Sequence, residues 1–134
     1  MTKDLKKILY VEDEEDIALV VTMTLEELSD FDVLHCSSGQ EALDVFAHFD
    51  PQLVILDVMM PRLDGPATLA RLRDLPGGDA VPVIFMTAKA QAYERERYHN
   101  LGAIGIIPKP FDPMTLVGSI YALWEDRSAD RLAS

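Results

Sequence analysis

Cysteine is almost missing from this sequence: the 134 residues include one, Cys36, which excludes an internal disulfide and fits a reducing compartment. Positive charge is scarce as well. With 12 basic against 23 acidic side chains the formal charge is -11, and that excess repels nucleic-acid phosphates and anionic headgroups. Direct binding to DNA, RNA or membrane is therefore not expected, and protein partners are. No apolar run approaches the roughly twenty residues of a membrane-crossing helix, and Met1 to Lys7 is too polar for a signal peptide's apolar core. A soluble, cytoplasmic protein is the expectation. Internal repeats, low-complexity runs and linkers are absent too, which leaves one domain over residues 1–127 and a frayed tail over 128–134.

What the sequence does contain is an alternation. Five short runs rich in β-branched residues read as strands: Ile8 to Val11, Phe31 to Cys36, Leu53 to Leu56, Val81 to Met86 and Ala103 to Ile107. Segments with helical spacing separate them. Ile17, Val20, Val21, Thr24 and Leu28 recur at steps of three and four and mark one face of the first helix. Ser38 with Glu41 forms a capping box for the second, and Asp112 followed by Pro113 supplies the N-cap and first residue of the fifth. Repeated βα units with right-handed crossovers give a parallel sheet covered on both faces. A barrel needs eight such units. Five predict an α/β, flavodoxin-like (βα)5 doubly wound domain whose parallel sheet has the order 2-1-3-4-5, with ligands at the strands' carboxyl edge.

At that edge the strands end on Glu12 and Asp13, on Cys36 and Ser37, on Asp57, on Thr87 and on Lys109. Strands one and three are neighbours at the switch point, so their carboxylates converge. Three converging carboxylates repel one another unless a cation enters or some are protonated. Oxygen ligands without nearby His or Cys suit magnesium, with manganese as the alternative, and argue against zinc. Magnesium commonly completes its shell with water and substrate phosphate, which points to phosphoryl chemistry. Lys109 supplies a positive charge and Thr87 a hydroxyl for the phosphoryl oxygens. In-line attack by Asp57 on phosphorus would give an aspartyl phosphate.

These residues resemble the receiver domain of two-component response regulators, from about Lys7 to Asp126. The likeness rests on Val11-Glu12-Asp13-Glu14, on Asp57-Val58-Met59-Met60-Pro61 followed by Asp64-Gly65, on Met86-Thr87-Ala88, and on Lys109-Pro110-Phe111. In length the chain is most similar to stand-alone receivers such as the bacterial chemotaxis regulator. The resemblance implies that Asp57 is the phosphoacceptor and Asp13 a direct metal ligand. It further implies that Glu12 holds metal through water and Met59 offers its backbone carbonyl. Thr87 and the Ala88 amide would contact the phosphoryl group, Lys109 would pair with Asp57 and then with phosphate, and the Lys109–Pro110 bond would be cis. The donor would be a histidine kinase, a histidine phosphotransfer protein or a small phosphodonor such as acetyl phosphate. Met59 and Lys89 would tune phosphoryl lifetime. One departure stands out: receivers usually place a switch aromatic three residues before the lysine, where this chain has Ile106.

The remaining candidates read more plainly. His35, His48 and His99 are expected at the surface, Cys36 in strand packing, and Trp124 docking the last helix. Tyr93 and Tyr98 lie on a strongly charged fourth helix, expected as a solvated face, with a homodimer or partner surface through helix 4, strand 5 and helix 5 as the sharper alternative. Two competing functions are a metal-dependent phosphohydrolase and a pseudo-receiver scaffold. The first usually needs an acid two residues after the nucleophile, where Met59 stands, and the second predicts loss of an acidic, Thr or Lys position, none of which is lost. The chain is read as a switch for a protein target, one that turns over no metabolite.

Overall fold

The expected alternation is present in the computed structural model, which describes residues 4–89 and 91–133, with side chains through residue 127. In chain order the elements are β1 (Lys7–Val11), α1 (Glu15–Glu27), β2 (Asp32–Cys36), α2 (Gly39–Phe49) and β3 (Leu53–Asp57). They continue with α3 (Gly65–Arg73), β4 (Val83–Thr87), α4 (Ala92–Asn100), β5 (Gly105–Pro108) and α5 (Pro113–Ala133). The sheet is parallel throughout with the order 2-1-3-4-5, so the flavodoxin-like topology holds. Among the described residues no helix is long and apolar enough to cross a membrane.

Period-two alternation along the strands builds two cores. Leu9, Val11, Leu56 and Phe85 point to the face covered by α2, α3 and α4. Their neighbours Ile8, Tyr10, Ile55 and Met86 point to the face covered by α1 and α5. Trp124 docks α5 onto that second face, and the Arg127 guanidinium lies over its ring at 3.6 Å. The caps follow the sequence closely. Glu41 N–H donates to Ser38 Oγ at 3.1 Å, although Glu41 reaches back to the Ser37 amide rather than to that of Ser38. Asp112 accepts from the Met114 amide at 2.9 Å at the start of α5.

Four expectations need correction. The buried face of α1 is Ala18, Val21 and Leu25, while Val20 and Leu28 are exposed. This helix is apolar on more sides than it can bury, so its periodicity admits two frames, and packing against β2 and α5 selects one. Strands β4 and β5 begin two residues later than read, since Val81 and Ala103 are buried at the strand entrances without belonging to the ladder. Tyr98 is not on a solvated face but is fully buried against Phe85. Finally, α5 continues through Ala133, so the segment expected as a frayed tail is helical up to residue 134, which lies outside the described residues.

Candidate functional site

Strand β1 delivers Glu12 and Asp13 to the sheet's carboxyl edge and β3 delivers Asp57. One carboxylate oxygen from each lies within 4.8 Å of the others. Glu12 and Asp57 are buried, at 0% and 3% exposure. Lys109 follows β5 and spans both: its Nζ donates to Glu12 Oε1 at 2.7 Å and to Asp57 Oδ1 at 3.0 Å. Its position is fixed from below by the Lys109 amide, which donates to the Thr87 carbonyl at 2.8 Å; the Lys109–Pro110 peptide is cis. Pro108, with no amide proton, is tolerated because β5 is an edge strand.

The electrostatics are unbalanced. If all three carboxyls are ionised, the one ammonium leaves two negative charges in the cluster. Burial pushes the Asp57 carboxyl up to about 7, Glu12 adds to the rise, and Lys109 opposes it. For Lys109 burial pulls the other way, yet its bonds to Glu12 and Asp57 and their charges leave it raised and therefore cationic. Asp13 Oδ1 is buried with no hydrogen-bond partner. An orphaned acceptor beside a doubly negative cluster made only of oxygen donors fits a small divalent cation, and magnesium suits it.

The other expected residues fall around this centre. Thr87 ends β4, buried, with its Oγ accepting the Lys89 amide at 2.9 Å. Ala88 and Lys89 follow it at the exposed rim. Met59 lies two residues past Asp57 with its side chain exposed, and Ile106 is half-buried against the α4 core. Cys36 is buried and its thiol is pushed up to about 12 by burial and then by Glu41, which suits strand packing.

Two supporting residues escaped the sequence reading. Tyr10 points to the same side of β1 as Glu12 and its hydroxyl donates to Glu12 Oε1 at 3.4 Å; strand periodicity alone could have found it. His35, expected at the surface, is half-buried, lies against Tyr10 with ring centroids 5.7 Å apart, and bonds through Nε2 to the Glu12 carbonyl at 2.9 Å. Only the β1–β2 register, which sets Tyr10 opposite His35, discloses that contact. His48 and His99 are exposed as expected.

Gly65 sets the wall of the crevice. A Cβ there would lie 2.5 Å from the Asp57 carbonyl and 2.8 Å from Val58 Cα, both backbone atoms that cannot rotate away. Gly65→Ala is therefore expected to destabilise the domain by roughly 1–3 kcal/mol, with weakened magnesium binding. Urea unfolding and calorimetric titration check this, and unchanged values in both would contradict it.

Ligand sites of doubly wound sheets open at the switch point, here between β1 and β3, and flavodoxin-like α/β domains are the class to which fold and crevice assign the chain. Within that class the chain belongs to the response regulator receiver domains, whose family model matches residues 8–121. The response regulator Rre1 of Synechocystis sp. is 37% identical over 106 residues, covering 79% of this chain and 46% of the relative. The alkaline phosphatase synthesis transcriptional regulatory protein PhoP of Bacillus subtilis is 36% identical over 118 residues, 88% of this chain and 48% of that protein. The chain thus spans about half the length of the curated relatives it matches. Among solved structures, chemotaxis protein CheY4 of Vibrio cholerae superposes with a TM-score of 0.82 at 26% identity, over 90% of this chain and 99% of that one. Two-component signal transduction is accordingly the process this family serves.

Proposed function

We propose that this receiver domain takes a phosphoryl group onto Asp57 from a phosphohistidine donor and thereby changes its affinity for a protein target. The observation that carries the reading is the buried Asp57 carboxylate held at 3.0 Å by Lys109 beside Glu12 and Asp13. An Asp57 oxygen attacks phosphorus in line, the bond from phosphorus to the donor nitrogen breaks, and the imidazole leaves with its electron pair. Lys109 pairs with the charge gathering on the phosphoryl oxygens, and the Thr87 hydroxyl and Ala88 amide donate to them. Asp13, Asp57, the Met59 carbonyl and, through water, Glu12 would hold magnesium, which supplies charge neutralisation when bound. Tyr10 and His35 keep Glu12 in place from behind.

A protein donor, a histidine kinase or phosphotransfer protein, is supported by an apolar groove of about 320 Å³ beside Lys109, formed by Ile17, Val20, Pro110 and Phe111. A cytoplasmic location belongs to the same proposal, supported by such a donor and by the free Cys36. Homodimerisation through α4, β5 and α5 remains part of the proposal for the signalling surface. Fluorine NMR of the domain with magnesium and beryllofluoride tests the site. Bound-fluoride resonances are expected for the parent and not for Asp57→Asn; a parent without them contradicts the reading.

A further inference from the structure

Strand β2 contributes none of the residues assigned to the site, yet one of its side chains reaches it. In a parallel pair the N–H and C=O of one residue point to the same neighbouring strand, and along β1 the even-numbered residues turn theirs to β2. The Asp32 amide donates to the Lys6 carbonyl at 2.7 Å and the Glu12 amide to the Cys36 carbonyl at 3.0 Å. The next rung would run from the Ser38 amide to the Glu12 carbonyl. By then the chain has left the sheet: β2 ends at Cys36, the Ser37 amide donates to Glu41 Oε2 at 3.1 Å, and Ser38 is the N-cap of α2. His35 supplies the missing donor. The register sets it opposite Tyr10, the two ring centroids lie 5.7 Å apart, and Nε2 reaches forward to the Glu12 carbonyl at 2.9 Å. A carbonyl only accepts, so Nε2 carries the proton.

The bonded carbonyl belongs to the planar peptide that joins Glu12 to Asp13, so holding its oxygen also holds the direction in which the chain leaves for Asp13. Asp13 is the carboxylate that most needs aiming. Glu12 and Asp57 are gripped by Lys109 at 2.7 and 3.0 Å, whereas Asp13 Oδ1 is buried with no hydrogen-bond partner. Resting on the reading of Glu12, Asp13 and Asp57 as the magnesium site, we propose that His35 is a positioning residue for Asp13. Its Nε2–H completes the β1–β2 ladder where the backbone cannot, and so fixes the peptide from which the Asp13 carboxylate is presented to the crevice. His35 bonds to a backbone oxygen and not to a carboxylate, so its effect reaches the metal ligands only through that peptide. The fully buried Tyr10 ring is the floor on which the imidazole rests.

The test separates the donor from the bulk of the ring. A glutamine carries its amide nitrogen at the same number of bonds from Cα as Nε2, an asparagine carries it one bond short, and a leucine fills the space against Tyr10 with no donor. Magnesium titrations followed by amide NMR, at a temperature where every variant is folded, should give affinities about three- to tenfold weaker for His35→Leu and His35→Asn. His35→Gln should bind within about twofold of the parent. Long-range proton–nitrogen spectra of the metal-free parent should show the neutral His35 ring protonated on Nε2. Equal magnesium affinities in the parent and His35→Leu would overturn the proposal even if their urea midpoints differed, because a contact that only supports the fold does not change the affinity of a folded protein. His35→Gln binding as weakly as His35→Leu would also overturn it, since the effect would then belong to ring packing on Tyr10, and so would a neutral ring protonated on Nδ1. A parent that does not bind magnesium would instead sink the reading of the metal site, and the proposal with it.

Discussion

Without metal, Asp57→Asn is expected to be more stable than the parent at about pH 8, by on the order of 3 kcal/mol, and no more stable at about pH 4. The folded Asp57 carboxyl is raised from 3.8 to about 7, first by burial and then by Glu12. A carboxyl raised in the folded state contributes stability that is fully present below its unfolded value and lost as pH rises through its folded value. The window is therefore from about 4 to about 7. Asparagine does not titrate, matches the shape, and can donate its amide protons to Glu12, so the difference between the two proteins isolates this one ionisation. Urea midpoints in chelator at several pH values measure it. A difference that stays constant across the window would contradict the account. Magnesium at the upper pH should return most of the lost stability to the parent and less to Asp57→Asn.

Lys109→Met should act in the opposite sense. The methionine keeps much of the apolar stem but removes the ammonium that lies 2.7 Å from Glu12 and 3.0 Å from Asp57. Glu12 is fully buried and Asp57 nearly so, which leaves two carboxylates in low dielectric with no counter-charge. Breaking a buried pair from one side costs about 3–5 kcal/mol, against less than about 1 kcal/mol for a solvent-exposed pair. Metal-free Lys109→Met is therefore expected to lose about 3 kcal/mol or more near neutral pH, checked by urea unfolding. Adding Asp57→Asn to it should recover part of that loss, because one of the two stranded charges disappears. A loss below about 1 kcal/mol would show that Lys109 is solvated and does not hold the acidic pair together.

The order of elements and the sheet topology were legible because the strands are near-continuous apolar runs and the caps carry their own signals, as at Ser38 and Asp112. The convergence of Glu12, Asp13, Asp57 and Lys109 was legible for a related reason: each follows directly on a strand, and the strand order decides which ends meet. Other features were not, for physical causes that differ from residue to residue. The face of α1 could not be chosen between two apolar frames without knowing that α5 packs on it. Tyr98 lies in Glu-Arg-Glu-Arg-Tyr-His-Asn, where local composition argues for solvent, and only the proximity of Phe85 across the sheet face buries it. His35 becomes a support for Glu12 through pairing between β1 and β2, a long-range register with no local signature. The helical continuation of α5 through Ala133 runs against a polar composition that otherwise suits a tail.

Phosphorylation of Asp57 is read by intact-protein mass after incubation with acetyl phosphate, with magnesium present or chelated and with Asp57→Asn alongside. One phosphoryl adduct is expected on the parent, requiring magnesium, stable in acid and labile in base, and missing from Asp57→Asn. An adduct that persists in Asp57→Asn or forms equally well in chelator would contradict magnesium-dependent phosphorylation of Asp57.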